Sequence, residues 1–386
     1  MIYDFDVVID RIKSESVKWH RYEPDVLPLW VADMDFVCPE PVLRALQERV
    51  AHGVFGYPDV MPSLLDVVVQ RLERLYGWHV EPEDLVFMPG VVRGFHLACH
   101  AFVNPSEAVL VQTPVYPPIL RAAKTTGILH QEMELTQNAD SSYDLDTDIF
   151  ERAFNDQPRL FLLCNPHNPV GKVYCQDDLE KMAEVCLRHK VIICSDEIHA
   201  ELLFSGQKHI PIAALDPEIA RHTITLIAPS KTFNIAGLDC SLAVIQNPDL
   251  RKKYLDARKG LISGVNVLGL TAALAAYQYG DDWLQQVLHY LENNRNYLYE
   301  FVESECDGVE MSKPEGTYLA WLDCRQAGER VSANPHKFFL EHARVALNDG
   351  LDFGPTGAGF VRLNFACPRQ TLTSALYAMR DALIRR

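Results

Sequence analysis

The residues best suited to chemistry are Ser230-Lys231-Thr232-Phe233-Asn234-Ile235-Ala236-Gly237-Leu238, which follow the apolar run Ile224 to Ala228. A lysine brought by a buried strand into a Gly-containing turn, flanked by hydroxyls and no other cation, is placed to react rather than to be solvated. Upstream, Asp196 ends a second apolar run, Val191-Ile192-Ile193-Cys194-Ser195. A lysine and a carboxylate on two strand ends are the fixed groups of a pyridoxal-phosphate enzyme. The lysine holds the cofactor as a Schiff base, and the Asp keeps the pyridine nitrogen protonated so that the ring accepts electrons. Alone, Ser-Lys-Thr is a weak signal; the paired strand context gives it weight.

Other strand ends supply the rest of a pocket. Gly90-Val91-Val92 opens a helix through Phe95, Ala98 and Phe102, and the free N–H groups of Val91 and Val92 can hold a phosphate without a charged side chain. A plain strand-to-helix turn would read the same way. Tyr116, in Thr113-Pro114-Val115-Tyr116-Pro117, can stack on a planar ring, although an aromatic there also suits a core. Asn168 lies in the turn-rich Asn165-Pro166-His167-Asn168-Pro169-Val170-Gly171 and can donate to a phenolate oxygen. Arg362 sits inside the apolar strand Phe360 to Phe365. A buried arginine must be paired, and where no internal acid pairs it, a substrate carboxylate can. Glu197, His199 and Glu201 alternate along an expected strand end, so His199 should face the same way as Glu197, behind the cofactor.

Several patterns lead nowhere. His96 and His100 are four residues apart on a helix but lack the intervening Glu of a zinc-protease motif. Gly354, Gly357 and Gly359 lack the preceding strand of a dinucleotide site, and Gly171-Lys172 lacks the rest of a phosphate loop.

These groups need a scaffold, and the chain is long enough to build one. Its 386 residues, 48% of them hydrophobic, can bury a large core and divide into a major and a minor domain. A formal charge of −16 argues against nucleic acid or an anionic membrane as partner. Met1-Ile2-Tyr3-Asp4-Phe5-Asp6 lacks the basic start and apolar core expected of a secretory signal, no run reaches the length of a membrane span, and the 10 cysteines lack a CxxC pair. A reducing cytoplasm is expected. Strand-like runs at Leu85 to Met88, Ala108 to Gln112, Arg159 to Cys164, Val191 to Ser195, Ile224 to Ala228 and Cys240 to Ile245 alternate with helix-length segments. That alternation predicts a mostly parallel sheet with ligands at its carboxyl edge. A long helix over Gly280 to Glu305 should lead to a smaller C-terminal unit with strands at Thr317 to Leu322 and Phe360 to Phe365. The expected division is 1–40 as an N-terminal segment on the small domain, 41–280 as the large domain and 281–386 as the small one.

Trp30-Val31-Ala32-Asp33-Met34-Asp35-Phe36, Asn165 to Gly171, Asp196-Glu197-Ile198-His199, Ser230 to Leu238 and Arg362-Leu363-Asn364-Phe365-Ala366-Cys367-Pro368 together resemble the MalY/PatB branch of fold-type I aminotransferase-like enzymes. Members of that branch are cystathionine β-lyases, also called cysteine-S-conjugate β-lyases. The resemblance implies a pyridoxal 5′-phosphate enzyme of α/β fold, with a large domain sandwiching a mostly parallel sheet and a smaller α+β domain. By the same resemblance Lys231 carries the Schiff base, Asp196 partners the pyridinium, Tyr116 stacks on the ring, and Asn168 donates to O3′. Val91, Val92, His199 and Ser230 complete the cofactor site, and Arg362 with the backbone near Ala32 holds the substrate carboxylate. A homodimer is implied, with Tyr57 reaching the phosphate of the neighbouring subunit. One departure is Arg93-Gly94, where the family more often has Pro-Ala; it changes the charge beside the phosphate. The reaction expected is α,β-elimination of a thiol, leaving pyruvate and ammonia. An aminotransferase on the same scaffold and a regulatory protein-binding role remain alternatives, and the thiol leaving group is open.

Overall fold

Seven strands, all but one of them apolar or β-branched runs, form one sheet, and the computed structural model describes them within residues 1–385. In chain order the strands are β1 (Leu85–Met88), β2 (Ala108–Thr113), β3 (Leu129–Glu134), β4 (Leu160–Cys164), β5 (Ile192–Asp196), β6 (Thr223–Ile227) and β7 (Ser241–Val244). Their spatial order is β1-β7-β6-β5-β4-β2-β3. Every residue of β1, β4, β5 and β7 is buried, as expected for strands covered by helices on both faces. The expectation of a mostly parallel sheet holds from β3 through β6. Strand β7 is the exception and runs antiparallel to both β6 and β1. It returns directly after the Pro229–Leu238 turn, with no crossover helix to restore the parallel sense.

Strand β3 was not apparent in the sequence. Its His130, Gln131, Glu132 and Glu134 mask a strand pattern, because it is the sheet edge, where charged side chains discourage further pairing.

A second sheet contains β8 (Leu319–Asp323), β9 (Asn348–Asp349) and β10 (Phe360–Asn364), antiparallel in the order β8-β10-β9. The 25-residue helix Asp281–Glu305 precedes it, and the helix Arg369–Ile384 follows. The N-terminal segment folds back onto this region. Leu27–Pro28 pairs in parallel with Val345–Ala346, and Phe5 packs edge-on against Phe36 and Trp283. Among the described residues, no helix is long and apolar enough to cross a membrane.

Candidate active site

The carboxyl ends of β1, β4, β5 and β6 face one side of the sheet, and a cavity of about 280 Å³ lies there. Gly90, Val91, Val92 and Arg93 line it from β1, Tyr116 from the loop after β2, Cys164 and Asn168 from β4. Asp196, Ile198 and His199 come from β5, and Ser230, Lys231, Ala236 and Asp239 from the turn after β6; Ala32 closes it from the N-terminal side. Nine of the anticipated residues therefore meet in one space: Ala32, Val91, Val92, Tyr116, Asn168, Asp196, His199, Ser230 and Lys231.

Lys231 stands at its centre. Its Nζ donates to the Ala32 carbonyl at 2.6 Å, and burial, the dominant cause, lowers its pKa to about 8. Asp196 is buried at the end of β5 and has no ion-pair partner among the described residues. Its Oδ1 accepts one hydrogen bond, from the Ile198 N–H at 3.2 Å. Desolvation raises this carboxyl to about 7. A buried carboxylate without a cation calls for one, and a protonated heterocyclic nitrogen would meet that need.

At the β1 end, the helix Val91–Phe102 starts without a side-chain cap. Its N-cap Gly90 has φ +98°, a conformation that strains any residue with a side chain. The uncapped first turn offers backbone donors to an anion. The remaining wall is polar and aromatic. Desolvation holds the His199 imidazole well below its ordinary pKa, hence neutral, and its Nδ1 is buried without a partner. The structure corrects the expected geometry here. Strand β5 ends at Asp196, and residues 198–201 form a turn. Glu197 consequently points away, accepting from Ser195 Oγ at 2.8 Å and lying 2.8 Å from His209 Nε2, while His199 faces the cavity itself.

Two anticipated residues are not on the wall. Arg362 lies behind Asn168 and donates to its Oδ1 at 3.0 Å, which leaves the Asn168 amide nitrogen available to donate into the cavity. The same guanidinium donates to the Trp30 carbonyl at 2.9 Å and to Asn348 Oδ1 at 2.6 Å, sits 4.9 Å over the Phe353 ring, and leaves Nε without a partner. Asn348 is its direct cross-strand neighbour on β9. No carboxylate pairs with it among the described residues, and desolvation lowers its pKa to about 10. Such a group is a receptor for a carboxylate. Tyr57 is fully exposed and does not reach the cavity of its own chain.

Sequence reasoning missed four contributors. Ile198 lines the cavity. Tyr318 Oη donates to the Ala32 carbonyl that Lys231 uses, at 2.9 Å; a tyrosine leading into an apolar strand is buried and needs such a partner, which is the available signal. Asn234 and Asn364 hold the Trp30–Phe36 segment, through Asn234 to the Met34 N–H and the Met34 and Phe36 carbonyls, and Asn364 to the Val31 and Asp33 carbonyls.

An anion cup at one end, an amine in the middle, an unpaired carboxylate opposite and a carboxylate receptor beside them suit pyridoxal phosphate bound next to an amino acid. Comparison with known proteins agrees. The family model for class I and II aminotransferases matches residues 24–379. The chain is 40% identical to the cystathionine beta-lyase PatB of Bacillus subtilis, with 98% of this chain and 100% of that one covered. Among solved structures, the PLP-bound C-S lyase from Staphylococcus hominis superposes with a TM-score of 0.94 at 34% identity, covering 100% of each chain. OvoB superposes with a TM-score of 0.94 at 43% identity, covering 99% of each.

Proposed function

We propose, on the premise that the chain belongs to the class I and II aminotransferase family and within it to the MalY/PatB-type cystathionine β-lyases, that it is a pyridoxal-phosphate-dependent carbon–sulfur β-lyase. The observation that carries this reading is the Lys231 amine, which donates to the Ala32 carbonyl in the same cavity that the buried, unpaired Asp196 lines, flanked by an acid-free arginine. The substrate class is an S-substituted cysteine, cystathionine among them. With one water consumed, the products are a thiol, pyruvate and ammonia.

The Val91 and Val92 N–H groups and the Ser230 hydroxyl would hold the phosphate, Tyr116, Ile198 and His199 the ring, and Asn168 the phenolic oxygen. When bound, the cofactor supplies an electron sink for the charge that develops at the substrate Cα. Asp196 would keep the proton on the ring nitrogen, which a charge-assisted hydrogen bond in a dry site does strongly. Arg362, with the backbone at Ala32, would grip the substrate carboxylate and so fix which Cα bond faces Lys231. Lys231, whose pKa burial lowers from its ordinary range to about 8, would have a larger free-base fraction near neutral pH than an exposed lysine, and would take the Cα proton. The thiolate then leaves Cβ. Tyr57 from a second copy would add a phosphate contact, which makes the working unit a homodimer. Its setting in a reducing cytoplasm fits ten free cysteines.

The test is to supply cystathionine and a panel of S-substituted cysteines without any keto acid. Continuous release of thiol and pyruvate in equal amounts is expected, and the preferred member of the panel identifies the leaving group. A reaction that stops after one turnover until a keto acid is added would replace elimination with transamination.

A further inference from the structure

Arg93 and Asp239 face each other on the cavity rim beside the anion cup, and the site as described gives neither a task. The Arg93 guanidinium folds back over Gly90, the residue that opens the cup. A Cβ built on Gly90 would lie 3.3 Å from Arg93 Nη1 and 3.9 Å from Asp239 Oδ1. Nη1 donates to the Pro89 carbonyl and lies 3.8 Å from Asp239 Oδ1. Both side chains are about half exposed, so this pair holds the arginine only weakly.

The charge balance of the cavity makes the position informative. Its basic wall residues besides the neutral His199 are Lys231 and Arg93; burial draws Lys231 toward its neutral form, and it sits at the Ala32 side, 2.6 Å from that carbonyl, so the permanent positive charge on the wall is that of Arg93. The cup itself contributes only neutral N–H groups and the Ser230 hydroxyl. A phosphate dianion is better held when a guanidinium adds a forked, charged contact. That a ligand fills this cavity is signalled independently by the buried His199 Nδ1, which lacks a partner on the same wall.

We propose that Arg93 is a phosphate-binding residue, held beside the cup by Pro89 and Asp239 and transferred to the phosphate on cofactor binding. Asp239 opposes that transfer electrostatically and so sets how tightly the phosphate is held. This rests on the reading of the cavity as a pyridoxal-phosphate site.

The experiment measures equilibrium binding of pyridoxal 5′-phosphate and of pyridoxal, which lacks the phosphate, to cofactor-stripped protein by the visible absorbance that appears on binding. Arg93→Gln is expected to weaken pyridoxal phosphate about tenfold or more, to leave pyridoxal within twofold, and to flatten the salt dependence of binding. Arg93→Lys should recover part of the loss, and Asp239→Asn should tighten pyridoxal phosphate severalfold without affecting pyridoxal. Unchanged phosphate-dependent affinity in Arg93→Gln, or an equal loss for both ligands, would overturn the proposal. Borohydride labelling of wild-type Lys231 separates the two layers: without a label the cofactor reading itself fails, whereas a normal label with an indifferent Arg93 variant removes only the role of Arg93.

Discussion

Asp196 and Lys231 are both taken out of water, and burial moves each toward its neutral form, to about 7 and about 8 respectively. The consequences for stability have opposite signs. Asp196 is raised, so its contribution to the cofactor-free protein is full below the ordinary carboxylate range and is lost as pH rises toward 7. Lys231 is lowered, so its contribution is full above its ordinary range near 10.5 and is lost as pH falls toward 8. Cofactor-free protein should therefore be least stable near pH 7 to 8 as far as these two groups are concerned. Asp196→Asn should raise its stability there by at most about 4 kcal/mol, since each tenfold shift in ionisation is worth about 1.4. Urea unfolding at several pH values reads this, and an unchanged profile would refute it. The same substitution should lower the elimination rate by roughly a hundredfold or more, the range for losing one preorganised electrostatic contact. Near-normal turnover would remove Asp196 from its assigned role. Borohydride should fix the cofactor to the peptide carrying Lys231. A label on Lys172, already paired with Asp144 at 2.8 Å, or on Lys208 would contradict the assignment.

The segment Trp30–Phe36 has no regular secondary structure, yet it supplies the carbonyl that holds Lys231. Its order comes from the asparagines on either side and from a buried charge cluster beneath it. Lys18 is fully buried, 2.7 Å from Asp35 and 3.4 Å from Asp33, while Arg11 reaches Asp35 at 2.5 Å and Asp33 at 2.7 Å. Removing one member strands the others in a dry site, which typically costs about 3 to 5 kcal/mol. Lys18→Ala should lie near the lower end of that range because Arg11 still compensates Asp35. Elimination should weaken with it, because Ala32 and Trp30 belong to the released segment. Chemical denaturation and steady-state kinetics on the same variant check both. Normal activity in a destabilised protein would show that the segment holds its place without the cluster.

At the scale of the molecule, Val54, Phe55, Tyr57 and Met61 form an exposed apolar stretch, and Tyr57 is entirely uncovered. Apolar exposure of this kind on a folded chain marks a contact surface. If a second copy covers it and brings Tyr57 to the phosphate, Tyr57→Phe should weaken cofactor retention by roughly 1 to 3 kcal/mol, the range for a hydrogen bond to a charged group. Mixing inactive Lys231→Ala chains with a clearly impaired Tyr57 variant should then restore activity in heterodimers, because one of the two sites regains both residues. Demonstrated subunit exchange with no recovery would show that Tyr57 serves its own chain.

Most strands and most of the pocket were legible in the sequence for one reason: buried parallel strands are continuous apolar runs, and the polar residue that ends each run must lie at the sheet's ligand-binding edge. Lys231, Asp196 and Asn168 follow from that rule, and Val91 and Val92 from the helix that opens just past a strand end. Strand β3 escaped because an edge strand carries solvent-facing charge, and the reversal of β7 escaped because direction depends on how the chain reconnects. Tertiary structure alone decided that His199 turns into the cavity while Glu197 turns away, since the chain leaves β5 after Asp196 and the turn over residues 198–201 breaks the alternation that would keep both on one face. It also decided that Arg362 stands behind Asn168 and opposite Asn348, and that Tyr318, Asn234 and Asn364 converge on the Trp30–Phe36 segment. The contacts to the Trp30–Phe36 segment join residues about 200 or more positions apart, and local pattern carries no information at that range.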